Sequence, residues 1–414
     1  MTDLVVKEGT TARVGAVDGN LSVGKNARIT SESGTKVVVS GAVTLAGGVS
    51  IDCDFECRSM KLEGRGWGPA GDVRVRGDLI VHESANLDAS VRVDGKVRAG
   101  DLDVAGHLRS GSLASMRLRV GGHLTTEGSL RAEEVDVGGH MTVAEEVRIA
   151  GLRVGGHAEI GGGEISGEII VRGHFTTTKK LVYGQVQVYG HLRLPAGSSG
   201  AKLVAHGKVE FEGDAMCRVI ELDGAGSVRG SCNADSVKIN GTLGASGPLR
   251  VSDQLEVYGT AQVRGELECG SLSVGGKLAA NSVTSAGRAD IAGEVRTSRG
   301  LKAQELRVGT GSRVNGPMVG ETVEIGAGVD LGGFWASMAN LRSMGRMTKV
   351  DDVWGKEVRI ARYSQAKRVY GEVVRMKRGS VAEEVNYTRE VDVPTSAHLE
   401  SGPKKIDRIP DPPL

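Results

Sequence analysis

A short phrase, apolar-x-apolar-x-Gly, recurs along this chain at a fixed step of seventeen. Its glycines are Gly122, Gly139, Gly156, Gly173, Gly190, Gly207, Gly224 and Gly241; one step of eighteen leads to Gly259, and seventeen again to Gly276 and Gly293. The frame continues through Thr310 and Ala327 with the glycine lost. A repeat this short can only be one supersecondary unit laid on its neighbour, because so brief a segment cannot enclose a core alone. The step therefore predicts an elongated solenoid and leaves little room for a separate catalytic domain.

Within one step the phrase Leu118-Arg-Val120 alternates apolar and polar, and Leu124-Thr-Thr126 and Leu130-Arg-Ala132 repeat the alternation about six residues apart. Period 2 is strand periodicity, and the 3.6 period of a helix is missing. The expectation is an all-β, parallel β-helix: a three-sided solenoid of about 17 residues per coil, with three short strands separated by corners. Residues two before each glycine (Val120, Val137, Val154, Val171, Val188) and four before it (Leu118, Val135, Leu152, Ile169, Val186) should stack as inward ladders. Glycine is 63 of 414 residues against 9 prolines, without a Gly-X-Y period, so neither a flexible linker nor collagen is indicated. The corners predict glycines at positive φ, which only Gly adopts freely.

The repeat is looser toward the N-terminus, where Leu21-Ser-Val23, Val37-Val-Val39, Val73-Arg-Val75 and Val91-Arg-Val93 still alternate. The resulting division is a solenoid body over 1–333, with a loop near 64–71 around Trp67 and Pro69. Phe334, Met338, Leu341, Met344 and Met347 are spaced by threes and fours, so a short helical insertion is expected over 334–352. Variant β coils should follow over 353–395, and a disordered Pro-rich tail over 396–414.

Composition narrows the function. With 52 basic and 51 acidic residues the net charge is +1, so no whole-molecule grip on nucleic acid or anionic lipid is indicated. No run of about 18 apolar residues could span a bilayer, so membrane association finds no support in the sequence. The segment Met1-Thr2-Asp3-Leu4-Val5-Val6 lacks the basic and apolar regions of a signal peptide. Five cysteines (Cys53, Cys57, Cys217, Cys232, Cys269) have no framework spacing and read as buried thiols, which suits the cytoplasm.

No nucleophile, phosphate-binding or metal-ligand motif stands out, so no catalytic residue, cofactor or metal is expected. The most tempting residues are histidines that directly follow a repeat-type glycine: His107, His123, His140, His157, His174 and His191. Imidazole binds metals and titrates near neutrality. Yet neighbours in a column are related by translation and do not converge on a tetrahedral point. A structural ladder is the expectation, with mutual repulsion of imidazolium charges in acid as a secondary one. A basic patch is expected from Arg359, Arg362, Lys367, Arg368, Arg375, Lys377 and Arg378, as a solvated face or a contact for phosphate or acidic protein surfaces.

The phrases Val135-Asp-Val137-Gly-Gly139-His140, Leu152-Arg-Val154-Gly-Gly156-His157 and Ile169-Ile-Val171-Arg-Gly173-His174 resemble the coils of bactofilins, the polymer-forming cytoskeletal proteins. The resemblance implies a right-handed β-helix that assembles end to end, without nucleotide, into filaments serving as scaffolds beneath the membrane or for partner proteins. Physics points the same way, because a solenoid's end coils expose unpaired strand edges. The candidate contact residues are Leu4 and Val6 at the N-terminal edge and Phe334, Trp335, Met338 and Leu341 near the C-terminal end. Two other readings compete: a non-polymerising rod that presents binding surfaces, and a β-helix enzyme of acyltransferase or lyase type. The dominant step of seventeen and the short loops argue against the enzyme.

Overall fold

The computed structural model describes residues 2–62, 72–88, 90–329 and 347–413, and among these no residue is helical. The chain divides into two units, Met1–Gly200 and Ala201–Leu414. Each is a parallel β-solenoid.

In the first unit one coil pairs with the next through three short runs. His123–Thr126 lies on 140–143, 130–132 on 147–149, and 134–137 on 151–154, all in parallel and all one repeat apart. The register places the apolar positions over one another. Leu118, Val135, Leu152, Ile169 and Val186 form one ladder, and Val120, Val137, Val154, Val171 and Val188 another. No member is more than 2% exposed, so these columns are the core. Burying each such side chain contributes about 1.5–3 kcal/mol, and β-branched residues suit the pleat. The intervening Arg, Asp and Glu residues point outward. On one face they alternate in sign from coil to coil, as in Asp101–Arg117–Glu134 and Asp103–Arg119–Asp136.

The second unit repeats the plan. Ala225–Val228 lies on Thr242–Ala245, and Cys232–Ile239 on Leu249–Val257. The single step of eighteen is absorbed at a corner: Ala234 faces Val251, but Ser236 faces Gln254, so one extra residue bulges out and the inward ladder is kept. From Val353 the step shortens to sixteen, with Val353, Val369 and Val385 in one column.

The repeat glycines correct the reading of the corners. None of them is among the residues at positive φ, which sit elsewhere, at Gly9, Gly48, Gly197, Gly311 and Gly379 for example. The repeat positions demand glycine because coils approach closely there. A Cβ on Gly139 or Gly156 would lie 2.1 Å from the carbonyl oxygen of the equivalent glycine one coil earlier, and on Gly173 1.9 Å. The same holds in the second unit, at 1.9 Å for Gly241 and 2.0 Å for Gly276. Those carbonyls accept the next amide: the N–H groups of His140, His157 and His174 donate to Gly122, Gly139 and Gly156 at 2.9 Å.

Two further expectations change near the C-terminus. Of the helix expected over 334–352, residues 334–346 lie outside the described residues, and so does the loop expected near 64–71. Thr348–Val350 is not helical but a strand, set in register on Arg313 and Val314. Val350 is 4% exposed and continues the inward ladder, which fixes the extended conformation there. The tail expected to be disordered from 396 instead lays two short parallel strands, His398–Leu399 and Lys404–Lys405, on Val381–Asp392. Backbone pairing to an otherwise open edge outweighs the polar composition.

Candidate assembly edge and side-chain columns

The N-terminal strand Leu4–Val6 pairs with Leu21–Val23. The Leu4 amide donates to the Asn20 carbonyl and the Val6 carbonyl accepts from Gly24, both at 2.8 Å. In parallel pairing, alternate residues direct their N–H and C=O to opposite sides. The amide and carbonyl of Val5 therefore face outward, where no strand pairs among the described residues. Val5 is 70% exposed and Leu4 36%, whereas Val6 is 4% exposed and belongs to the core. Of the two residues singled out at this edge, Leu4 is available and Val6 is not. Sequence reasoning misses Val5 because its outward role comes from the ladder register, which the alternation of so short a strand does not reveal. Phe334, Trp335, Met338 and Leu341 lie outside the described residues.

The six histidines are brought into one column. His107, His123, His140, His157, His174 and His191 are register partners, each on the next. Ring centroids are 4.5 Å apart for His107–His123 and 5.0 Å for His123–His140, with the planes close to parallel; the later three pairs are 5.7 to 6.2 Å apart and tilted. Translation along the column spreads the ring nitrogens out in a line. Among the described residues, no group of three or more His, Cys, Asp or Glu could hold a metal ion.

The basic patch is sorted by the coil register into two kinds of residue. Arg359 donates to Glu357 and Glu324 at 2.9 Å, Lys367 pairs with Asp351 at 2.7 Å, and Arg375 donates to Glu357 at 3.0 Å. Arg368 forms a two-pronged pair with Asp352. These contacts hold the Lys367 ammonium and the Arg359 and Arg368 guanidinium groups above their usual range, each through its hydrogen-bonded carboxylate first. Arg362, Lys377 and Arg378 have no acidic partner among the described residues and gather at one corner. Between them Tyr363 is 71% exposed and takes φ 58°, the conformation glycine supplies in the next coil at Gly379.

All five cysteines are buried thiols, none of them in a disulfide. Burial pushes the Cys57 and Cys232 thiols up to about 12 and the Cys269 thiol to about 11, so none of these three is primed as a nucleophile. A surface hollow of about 250 Å³ over Gly151 is rimmed by Arg117, Glu134, Arg153 and Glu168. Its alternating charges belong to the outer ladders and bring together no nucleophile and base.

Stacked parallel coils, an open terminal strand and side chains arrayed by translation define a structural solenoid of the kind that presents edges and columns. Residues 196–282 match the bactofilin family, described as polymer-forming cytoskeletal. Coils of the same construction flank it on both sides. No curated protein and no solved structure matches the chain.

Proposed function

We propose that this chain is a bactofilin-type scaffold whose right-handed coils self-assemble end to end into nucleotide-independent filaments in the cytoplasm. The observation that carries this reading is the Leu4–Val6 edge, with the outward amide and carbonyl of Val5 over an exposed apolar side chain. Such an edge is a template for another strand. Coils of one type can extend across it with the same ladder contacts that hold each coil to the next. The polymer-forming description of the matched family supports the same reading. The reduced, buried cysteines suit the cytoplasm, and among the described residues no helix is long and apolar enough to cross a membrane. Arg362, Lys377 and Arg378 are the cations left for an acidic protein partner.

Val5→Pro tests the edge. Proline removes the outward N–H and leaves the inward bonds of Leu4 and Val6 in place. Negative-stain imaging and sedimentation of the full chain at micromolar concentration, without nucleotide, should show filaments, shortened or abolished by the substitution. Wild-type protein that stays monomeric would sink the reading, as would equal filament lengths in the two proteins.

A further inference from the structure

The last long strand, Val381–Asp392, is the other terminal edge among the described residues, and it is partly covered by the segment that follows it. His398–Leu399 lies on Val381 and Ala382, and Lys404–Lys405 on Asn386 and Tyr387. The amides of His398 and Ile406 donate to Ser380 and Tyr387 at 2.9 Å, and those of Glu400 and Ser401 to Ala382 and Glu383 at 3.2 Å. The covered coil is real core, since Ala382 and Val385 are 0% exposed. The covering segment is different: from 394 to 413 no residue is buried, and Leu399, Ile406 and Ile409 are only half-buried. The third run of the coil, Glu390 to Asp392, pairs with Val373 to Arg375 on one side and with no strand of the tail.

A segment that imitates a further coil with very short strands, but buries no side chain of its own, is held by backbone bonds and one side-chain bond, from the Ser401 hydroxyl to the Glu383 carbonyl at 3.1 Å. Few buried apolar contacts and exposed hydrogen bonds mark the parts of a protein that open locally at low cost. Solenoid ends must either be capped or used. We propose that residues 397–409 are a detachable end cap, which occupies the edge a second copy of this chain would pair with and so limits assembly at this end. The inference rests on the end-to-end assembly reading, and it adds a control on it. With the cap docked, the first two runs of the last coil are covered; with the cap released, the whole Val381–Asp392 edge and the core under Leu399 become available.

The test compares the full chain with a chain ending at Ser396, which keeps the bond from the Gly379 amide to the Ser396 carbonyl. A minor open state of about 0.1–10% means that removing the cap should lower the concentration at which filaments form about tenfold or more. A synthetic peptide of residues 397–409, added to the shortened chain, should reverse the change. Glu400→Pro in the full chain removes one docking donor and should act in the same direction, which covers the case in which the shortened chain misfolds. If the shortened chain and Glu400→Pro assemble as the full chain does while Val5→Pro still blocks assembly, the cap is refuted and the assembly reading survives. If no form assembles, both are refuted. Hydrogen exchange gives an independent check: the amides of His398, Glu400 and Ile406 should exchange much faster than those of 369–376, and equal protection would overturn the cap.

Discussion

Replacing Gly156 by alanine should damage the solenoid far more than replacing Gly151 in the same coil. A methyl on Gly156 would sit 2.1 Å from the Gly139 oxygen and 2.7 Å from the Gly138 oxygen, both main-chain atoms of the preceding coil. Ordinary contact begins only at 3.4 Å, so both approaches are far too close. No side chain can swing away, so the coils must part locally. The first bond to fail is the one from the His157 amide to the Gly139 carbonyl, now 2.9 Å long. Forcing a methyl into a packed site costs about 1–3 kcal/mol, and each lost hydrogen bond adds about 0.5–1.5 kcal/mol. A total of about 2–4 kcal/mol follows from the two. At Gly151 the nearest atom to a new methyl is the Glu168 oxygen at 4.0 Å, and the residue is not at positive φ. There alanine should be neutral or stabilise by about 0.4–1 kcal/mol, because it restricts the unfolded chain. Solenoid stability is a sum of local terms, so hydrogen exchange of the His157 and His174 amides, read beside urea unfolding, is the suitable assay. Equal urea midpoints and equal protection in the two variants would refute close approach as the reason for these glycines.

Acid should loosen the first coils through their paired carboxylates. Arg74, then Arg92, holds Asp94 below its ordinary 3.8, and Lys36, then His82, holds Glu56 below its ordinary 4.5. A depressed folded-state value gives stability that is present above the ordinary value and is lost as pH falls through the folded one. These carboxylates should therefore contribute evenly from neutrality down to about pH 5 and progressively less below about pH 4; Asp94→Asn should flatten that loss, and an unchanged acid-unfolding curve would count against it. Cys57, Cys232 and Cys269 should resist a thiol reagent at about pH 8 in the folded protein and react in urea, given thiols raised to about 11–12 by burial. Rapid labelling of Cys232 without denaturant would contradict its buried placement.

The solenoid was legible because each coil touches the next at a nearly constant offset. Leu118, Val135 and Leu152 are seventeen apart in the chain and adjacent in the core, so sequence spacing and spatial contact carry the same information. The histidine column was legible for the same reason, down to which residues are neighbours. The ring geometry was not: the rings stack at His123–His140 and tilt at His174–His191, a difference that the identical spacing of seventeen cannot encode. The basic patch was only half legible. The run of basic residues from Arg359 to Arg378 says nothing about Glu324, which reaches Arg359 from an earlier coil.

What the sequence determined alone is the class of fold, its step, its inward ladders and its outward charges, since these follow from a period that any neighbouring coil must share. Tertiary structure decided why the glycines are glycines, which cations remain unpaired, that Val5 rather than Val6 faces outward, and that a polar, proline-bearing segment settles on the last coil. Each of these depends on how closely two backbones approach or which way a peptide group points. Such distances and directions are set by the stacking of coils, and no residue carries them by itself.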